Sequence, residues 1–448
     1  MQTTAGPPPA PKHTFPESLA TVAIRPGDRE YDAVRHTYTR LGSPAAVIRV
    51  RDHQDIADTL AHARTTGVPV TPRSGGHGIS GRSTNDQGMV IDLSRLNTVE
   101  ILDSRSGLVR VEAGARWGDV AAALAPHGLG LSSGDTGDVG VGGLATAGGI
   151  GLMSRLHGLT IDHMRAAELV LADGSLIRTD PEHRPDLFWA VRGAGTNFGV
   201  ATAFEFQAQP VRDVIVAMTV YDAADTAAFL TRWAAAVEAA PRSLTSFLTL
   251  VAGPGGRAVA QAMTVYAGTD ATQARAALAP LLSAGPVLRN HATVTPYHRL
   301  LPAGHEPQHA QQPLTVSRSG LLDHITPPAA ESMAALMKAA GMVQLRSVGA
   351  AVNDTPSTAM AYSHRTQNFS LMAASVPALR DGLDEHWERL QPHVNGLYLS
   401  FETRIGRRQL QDAFPGQVLD RLVSLKAQYD PDHVFDNNFA LPSVPFPH

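Results

Sequence analysis

The feature that most constrains the fold of this chain is a pair of glycine-rich tracts in its first half. The first tract, TPRSGGHGISG at residues 71–81, places four glycines around His77, and the second, SSGDTGDVGVGGLATAGGIG, spans residues 132–151. Glycine is costly to order, so such loops occur where a ligand or a second backbone must approach the main chain closely. Two such tracts predict one long ligand held from two sides, and nests of backbone N–H groups favour an anion such as a pyrophosphate.

Short strands and a helix precede the first tract. The sequence AAVIRVRDHQDIADTLAHARTTGVPVTPRSGGH predicts a strand at Val47–Val50, a helix from about Asp52 to Thr65, and a strand that runs into the glycine loop. The second tract fits the pattern G-x-G-x-x-A over residues 140–145, but the preceding LSSGDTGDV is a poor strand. A Rossmann phosphate turn needs a buried strand at that point, so a nicotinamide-cofactor site is not predicted.

The pattern of the chain changes after Pro210. The segment AMTVY occurs at residues 217–221 and again at residues 262–266, each time ahead of an alanine-rich stretch. Two copies are too few for a repeat array, so they predict two β-α units in a second α+β domain.

Composition excludes several classes of partner. The chain has 37 Lys and Arg residues and 41 Asp and Glu residues, which gives a net charge of -4, and it has no long run of either sign. Neither a nucleic-acid nor a membrane-surface partner is therefore predicted. There is no long apolar run and the opening MQTTAGPPPAPKHTF is unlike a secretory signal, so a cytoplasmic location is expected. The chain has no cysteine, which excludes disulfides and any cysteinyl attachment of a cofactor.

Motifs spread along the chain resemble a known enzyme family. The chain is similar to the FAD-linked oxidases of the vanillyl-alcohol oxidase and berberine-bridge-enzyme type. The motifs that carry the resemblance are RSGGH, VIDLSRLN, VEAGA, VGVGGLATAGGIG, LHGLTIDH, PDLFWAVRGAGTNFGV and YDPDHVFDNNFALP. The resemblance covers about residues 40–210 and 400–445 and is weaker between them, where substrates bind. It implies an α+β fold, with a two-part FAD-binding domain of the PCMH type and a second α+β substrate domain of antiparallel sheet and helices.

This resemblance divides the chain into four segments. They are a disordered or poorly ordered start at 1–19, a FAD-binding domain at 20–210, a substrate-binding domain at 211–400, and a C-terminal segment at 401–448 that returns to the FAD domain.

His77 is the first site residue that the resemblance implies. In the family, the histidine of RSGGH is bonded through an imidazole nitrogen to the 8α-methyl carbon of the flavin, so the implied cofactor is FAD attached covalently through His77. A neutral imidazole is a suitable nucleophile, and the flanking glycines let backbone and flavin approach each other. The alternative is a loop histidine that only donates a hydrogen bond.

Thr136 stands where family members with two flavin bonds carry a cysteine. Because the chain has no cysteine, the resemblance implies a single bond, as in the hydroxynicotine-oxidase branch and the enterocin-type polyketide oxygenases. Two roles are open for Thr136. Its hydroxyl donates a hydrogen bond close to flavin N5 or to a bound oxygen species, or it is a turn threonine that satisfies local backbone groups.

Other residues are implied to contact the rest of the cofactor. Those expected to hold the pyrophosphate, the adenine and ribose, or one edge of the flavin are Arg73, Ser74, Gly75, Gly76, Gly78, Gly140, Gly142, Gly143, Thr146, Gly149, Val200 and Asn438. Val200 is expected to act through its backbone, and Ala440 replaces an amide-bearing residue that is common in the family.

The substrate side carries fewer signals. Family members have a Y-x-N-Y strand, whereas NGLYLSF keeps only the first tyrosine, Tyr398, and has Phe401 at the last position. Tyr398 is either a base or substrate orienter, or an ordinary core aromatic.

Two residue pairs that contain histidine are not assigned to catalysis. His364 and Arg365 in MAYSHR resemble a family pair that serves structure. His305 and His309 have the i, i+4 spacing of metal ligands, but Pro307 between them opposes the helix they would need, so no metal site is predicted.

Three functions remain open. The first is a flavin-dependent oxidoreductase that transfers hydride from a small organic substrate to flavin N5 and is reoxidised by O2, giving H2O2. The second is a flavin-dependent oxygenase of the flavin-N5-oxide type acting on a polyketide-like secondary metabolite, kept open by Thr136, Phe401 and Ala440. The third is a non-catalytic flavin-binding protein. The expected partners are a small-molecule substrate and O2, while the oligomeric state stays open, with a homodimer as one candidate.

Overall fold

The computed structural model describes residues 15–253, 257–302, 304, 314–436, 439–444 and 446. The strands in this part of the chain are β1 (Ala23–Ile24), β2 (Ala46–Arg49), β3 (Val70–Arg73), β4 (Met89–Asp92), β5 (Val99–Asp103), β6 (Leu108–Glu112), β7 (Leu129–Gly130), β8 (Met164–Val170), β9 (Leu176–Thr179), β10 (Val200–Gln207), β11 (Gln209–Pro210), β12 (Asp213–Asp222), β13 (Leu244–Ala252), β14 (Ala258–Tyr266), β15 (Val287–Pro296), β16 (Val316–Leu322), β17 (Met342–Ser347) and β18 (Phe369–Ser375).

The α-helices, in chain order, connect these strands or pack on the sheets. They are α1 (Glu17–Ala20), α2 (Tyr31–Val34), α3 (His53–Thr66), α4 (Trp117–Leu124), α5 (Val141–Ala147), α6 (Ser154–His157), α7 (Pro185–Ala194), α8 (Thr226–Ala239), α9 (Ala271–Leu282), α10 (Pro327–Leu336), α11 (Ala351–Asp354), α12 (Arg380–Leu390), α13 (Arg407–Ala413) and α14 (Gln417–Tyr429).

A parallel β-α-β unit holds the first glycine loop. β2 and β3 both pair in parallel with β4, and α3 connects them. Helix α3 begins at Asp52, whose carboxylate accepts hydrogen bonds from the N–H groups of Gln54 and Asp55, and it ends at Gly67, which has a φ of 70°. These are favourable helix caps at both ends. The predicted strand, helix and strand are confirmed, and β3 leads directly into the glycine loop.

The rest of the first unit is an antiparallel sheet in the order β5-β6-β10-β8-β9. The second glycine tract leads into α5, and the nearest earlier strand, β7, ends ten residues before Gly140, so a Rossmann strand-turn-helix is absent here. Both sheets contribute to one hydrophobic core that includes the fully buried Trp117 and Phe206.

The second unit contains a seven-stranded antiparallel sheet in the order β15-β12-β14-β13-β17-β18-β16. The two AMTVY segments lie on the neighbouring strands β12 and β14, and α8 and α9 follow them as predicted. Helices α8, α9, α10 and α12 pack on one face of the sheet, and the core between them includes Trp233 of α8 and Trp387 of α12. A third hydrophobic cluster, including Leu159 and Phe247, joins the other face to the first unit.

The C-terminal segment returns to the first unit. Leu422 of α14 is fully buried in the first core. The ammonium group of Lys426 donates hydrogen bonds to the carbonyls of Asn197, at 2.9 Å, and Phe435, at 2.8 Å, and to the Asp430 carboxylate, at 2.5 Å. A buried cation with three acceptors is fully satisfied, so this contact fastens the C-terminal motif to the segment before β10.

The α+β fold predicted from the sequence, with a two-part first domain and an antiparallel second domain, is confirmed. One predicted boundary is corrected: residues 17–20 form α1, and Phe15 and Leu19 are buried in the first core because their apolar side chains pack there. Residues 1–14 lie outside the described residues. Among the described helices, none has the length and hydropathy needed to cross a membrane.

Candidate active site

The two glycine tracts contact each other through their backbones. A Cβ atom at Gly140 would lie 2.0 Å from the nitrogen of Gly75, and one at Gly75 would lie 2.4 Å from the nitrogen of Gly140. The Ser74 hydroxyl donates to the carbonyl of Ala113 at 2.5 Å and accepts a hydrogen bond from the Gly142 N–H at 3.3 Å. Only glycine fits at residues 75 and 140, because any side chain would push the loops apart.

His77 projects from the first loop beside an aromatic ring. Its imidazole stacks on Tyr38, with 4.5 Å between ring centroids and 16° between ring planes. The Tyr38 N–H donates to the carbonyl of Gly76 at 2.9 Å, which fixes the tyrosine relative to the loop. The stacked pair therefore sets the plane of the half-buried imidazole.

A cavity of about 610 Å³ lies between the two units, with the glycine loops on one side and β17 and β18 on the other. This volume is typical of sites that enclose organic ligands. The predicted residues that line it are Ser74, Gly75, Gly76, His77, Gly78, Thr136, Gly140, Gly142, Gly143, Thr146 and Tyr398. The structure therefore brings most of the predicted site residues to one cavity.

The prediction that Arg73 holds the pyrophosphate is wrong for its side chain. The guanidinium donates to the Asp92 carboxylate at 2.5 Å and to the carbonyl of Val34 at 2.5 Å, and Arg73 does not line the cavity. Burial raises the pKa of Asp92, but the charge of Arg73 and hydrogen bonds from Ser94 and Arg73 outweigh it, so the pKa lies below its ordinary value. Arg73 and Asp92 are paired across β3 and β4, so this ion pair fixes the strand that carries the loop.

Two further predicted residues do not line the cavity, and a third is outside the described part of the chain. Gly149 does not line the cavity but is packed against other residues. A Cβ atom at Gly149 would lie 2.2 Å from the Thr160 hydroxyl oxygen, and the Gly149 N–H donates a hydrogen bond to the Tyr398 phenol. Val200 is fully buried in the pairing of β10 with β8, while Gly199 and Ala201 on either side of it reach the cavity. Asn438 lies outside the described residues.

Tyr398 stands at the start of a 3-10 turn, Leu399–Phe401, rather than in the strand that the family motif implies. Its phenol oxygen accepts a hydrogen bond from the Gly149 N–H at 3.0 Å, and only 3% of the residue is exposed. Burial raises the pKa of Tyr398, and the Gly149 hydrogen bond offsets only part of that rise. The phenol therefore keeps its proton at neutral pH, which suits a donor or orienter better than a base.

Thr136 lines the cavity beside an ion pair. Its neighbour Asp135 accepts a hydrogen bond from Arg346 of β17 at 3.0 Å. The Thr136 hydroxyl makes no hydrogen bond to another described residue, so a role in satisfying the local turn is not observed. The hydroxyl is therefore available to a ligand.

His364 and Arg365 are structural, as the resemblance implies, and do not line the cavity. Burial lowers the pKa of His364 to about 4, and the neutral ring lies 3.0 Å from the carbonyl of Ala413. Arg365 binds both carboxylate oxygens of Asp162, at 2.7 and 3.0 Å.

Several cavity residues carried no recognisable signal in the sequence, among them Arg82, Met342, Gln344, Arg346 and Met372. Arg82 is 7% exposed and donates to the carbonyl of Arg404 at 2.7 Å, but its Nε and Nη1 have no hydrogen-bond partner among the described residues. In MVQLRS, successive side chains point to opposite faces of β17, so every second residue could have been assigned to a cavity-facing side. That assignment requires knowing which face of the strand the helices cover.

These residues fit a long flavin nucleotide. A Cβ added at Gly143 would meet no atom within 4 Å, so the loop leaves room for a ligand against its backbone. The unsatisfied donors of Arg82 are buried at the cavity wall, where a carbonyl or phosphate oxygen would satisfy them. No group of His, Asp or Glu side chains within the described ranges could hold a metal ion, and His305 and His309 lie outside those ranges.

Two family models match the chain. The model of a FAD binding domain matches residues 44–180, which include both glycine tracts, and the model described as "berberine and berberine like" matches residues 409–442.

Similar proteins include FAD-linked enzymes from several organisms. A FAD-linked oxidoreductase of Dictyostelium discoideum is 27% identical over 449 residues, which cover 95% of each chain. (R)-6-hydroxynicotine oxidase of Paenarthrobacter nicotinovorans is 37% identical over 198 residues, 44% of this chain and 43% of that one. A FAD-dependent monooxygenase of Cochliobolus heterostrophus is 41% identical over 172 residues, 38% of this chain and 33% of that one.

Among solved structures, xylooligosaccharide oxidase from Myceliophthora thermophila, in complex with xylobiose, superposes with a TM-score of 0.84. The match has 23% sequence identity and covers 96% of this chain and 99% of that one. At this identity the likeness establishes a shared fold.

Proposed function

We propose that the chain is a FAD-dependent oxidoreductase of the berberine-bridge-enzyme and vanillyl-alcohol-oxidase type, and that it oxidises a small organic substrate in the cavity between its two units. When bound, FAD would supply the two-electron chemistry: a hydride and a proton would leave the substrate, and O2 would take up both to give H2O2. The residues of the chain hold the cofactor, orient the substrate and exclude water.

The position of His77 is the observation that carries this proposal. The imidazole borders the cavity, lies between glycines and is stacked on Tyr38. A nucleophile held in one plane next to its target needs little further ordering, which favours bond formation. We therefore assign His77 as the single covalent anchor of FAD, bonded to the 8α carbon of the flavin.

The rest of the cofactor is held by backbone and by one buried cation. In this proposal backbone N–H groups of the glycine loop after β3 and of the first turn of α5 at Gly143 bind the pyrophosphate, as nests of backbone donors do. Arg82 donates its unsatisfied N–H groups to cofactor oxygens. Asn438 remains a proposed contact to the flavin.

Tyr398 and Thr136 line the cavity, and we assign both to the part of it where the substrate reacts. Since the raised pKa of Tyr398 keeps its phenol protonated, we assign it as a hydrogen-bond donor that orients the substrate. The Thr136 hydroxyl is a second donor on the opposite loop.

Acid precipitation tests the anchor. Wild-type protein is expected to stay yellow after precipitation and washing, whereas His77→Ala should lose its colour while keeping its thermal midpoint. His183→Ala is the matched control, because the His183 side chain is 67% exposed and does not line the cavity. Release of the flavin from wild type by acid would show that His77 is not the anchor.

An oxygenase is the second candidate. It is favoured by the partial similarity to a FAD-dependent monooxygenase and by the hydroxyl of Thr136 at the cavity wall. The amount of H2O2 formed per substrate consumed separates the two: one equivalent supports the oxidase, and oxygen incorporated into the product in place of H2O2 supports the oxygenase.

A further inference from the structure

Arg346 is the charged residue that β17 presents to the cavity. Its strand lies between β13 and β18, with Arg346 opposite Phe247 on one side and Ser370 on the other. Met342, Gln344 and Arg346 alternate along the cavity-facing side of this strand. The residues between them point into the helix-covered core, so the position of Arg346 is fixed by the sheet.

The guanidinium is held firmly but incompletely paired. Nη2 donates to the Asp135 carboxylate at 3.0 Å, and the guanidinium carbon lies 4.4 Å from the ring centroid of Phe401 and 5.5 Å from that of Phe247. Arg346 is 6% exposed, yet its Nη1 has no hydrogen-bond partner among the described residues. A buried donor without a partner is unfavourable, so a ligand oxygen at this point would stabilise the site.

The surroundings of Nη1 restrict which oxygen it can bind. Asp135 already balances the charge of Arg346, so a carboxylate on the ligand would meet the repulsion of a second carboxylate nearby. A carbonyl oxygen is neutral and only accepts hydrogen bonds, which matches a group that only donates them.

Most of the other side chains on this side of the cavity are apolar. The polar ones are Thr315, Gln344 and Ser375, and the apolar ones are Met342, Met372, Ala374, Val376 and Phe401. An oligosaccharide would place many hydroxyl groups against these side chains without partners, which is unfavourable. A mostly apolar molecule with one carbonyl group would bury its carbon skeleton there and satisfy Nη1.

We propose that Arg346 determines substrate specificity by donating a hydrogen bond from Nη1 to a neutral carbonyl oxygen of a largely apolar substrate. This inference rests on the proposed oxidation of a small organic molecule in the same cavity, and it names the class of that molecule. The hydrogen bond positions the substrate between β17 and the glycine loops.

Binding to the oxidised holoenzyme tests the inference without requiring turnover. The probes are 2-acetylnaphthalene, which carries a carbonyl, 2-ethylnaphthalene, which has the same shape without it, 2-naphthoate, which carries a carboxylate, and xylobiose. Dissociation constants are measured from changes in the flavin absorbance spectrum. We expect the ketone to bind wild type about tenfold more tightly than each of the other three, as one hydrogen bond to a charged donor provides.

Two variants and a control identify the residue responsible. Arg346→Met should bring the ketone and the ethyl compound to equal affinity. Arg346→Lys keeps a charge beside Asp135 and so protects the fold, but it loses the fork of N–H groups and should reduce the preference at least threefold. Arg289→Met changes an exposed arginine on β15 of the same sheet and should preserve the full preference.

Several results would overturn the inference. They are equal wild-type affinity for the ketone and the ethyl compound, tighter binding of 2-naphthoate or xylobiose, no spectral change with the ketone at its solubility limit, or a preference that survives in Arg346→Met. A shifted spectrum of ligand-free Arg346→Met with an unchanged preference would assign Nη1 to the cofactor instead. Acid release of the flavin would contradict the proposed anchor but would leave these affinity ratios interpretable.

Discussion

The two walls of the cavity recognise their ligands in different ways. The glycine loops present backbone, and their approach is so close that a Cβ at Gly140 would fall 2.0 Å from the nitrogen of Gly75. The opposite wall presents the side chains of Met342, Gln344 and Arg346 from a strand whose other face is covered by helices. A backbone wall requires particular residues at particular positions, whereas a strand accepts many side chains in the same geometry. This difference explains why the cofactor side carries recognisable motifs and the substrate side does not.

The largest effect is expected from placing a side chain in the backbone wall. Gly140→Ala should force the loops apart, destabilise the protein by about 1–3 kcal/mol and lower the fraction of acid-stable flavin several-fold, because an inserted methyl group has no space there. Thermal unfolding and flavin content after precipitation measure both effects.

Gly382→Ala, on α12 and outside the cavity lining, is the matched control for this experiment. Its Cβ would make only an ordinary contact, 3.6 Å from the Cβ of Ala339, and alanine favours the helix by about 1 kcal/mol, so the midpoint should not fall. A fall equal to that of Gly140→Ala would mean that contact between the loops is not the reason for the glycines.

An intermediate effect is expected for the residue between the two walls. Tyr398→Phe should slow anaerobic flavin reduction about tenfold, the effect of one lost hydrogen bond, without changing reoxidation by O2. Because burial raises the pKa of Tyr398 above its ordinary value of about 10, the wild-type rate should show no phenol titration below that pH.

Stopped-flow reduction at saturating substrate measures this rate. Tyr362→Phe is the control, since Tyr362 is buried 6.3 Å from the Tyr398 ring, between centroids, and does not line the cavity. A loss of about a hundredfold would identify Tyr398 as the base after all, and a rate equal to wild type would make it a core residue.

The smallest effect is expected from a conservative change in the second loop. Thr136→Cys should form a second bond, at flavin C6, with O2 as the oxidant, and should shift the flavin spectrum while the acid-stable colour is retained. Thr146→Cys is the control, because the Thr146 hydroxyl is bonded to the Gly142 carbonyl at 2.8 Å. An unchanged spectrum with a freely titratable thiol at residue 136 would show that this loop was placed incorrectly against the flavin.

Local patterns were sufficient for much of the first unit. The Asp52 cap, the spacing of the helix that follows and the glycines after β3 predicted the β-α-β-loop unit, and each is determined by residues close in sequence. The family resemblance assigned pyrophosphate binding to Arg73, whereas in the structure its guanidinium binds Asp92 and does not line the cavity. The sequence does not show that Asp92 lies opposite Arg73 on the neighbouring strand and binds its guanidinium.

The sequence by itself determined the α+β class, the two glycine loops and the presence of a single candidate anchor, His77, because backbone conformation and residue chemistry are local properties. Only the tertiary structure decided that Tyr38 stacks on His77, that Tyr398 is bonded to Gly149 with a raised pKa, and that Arg346 is buried with one nitrogen unpaired among the described residues. These features depend on burial and on contacts between segments far apart in the chain, so the energy of each is set by neighbours that no local pattern identifies.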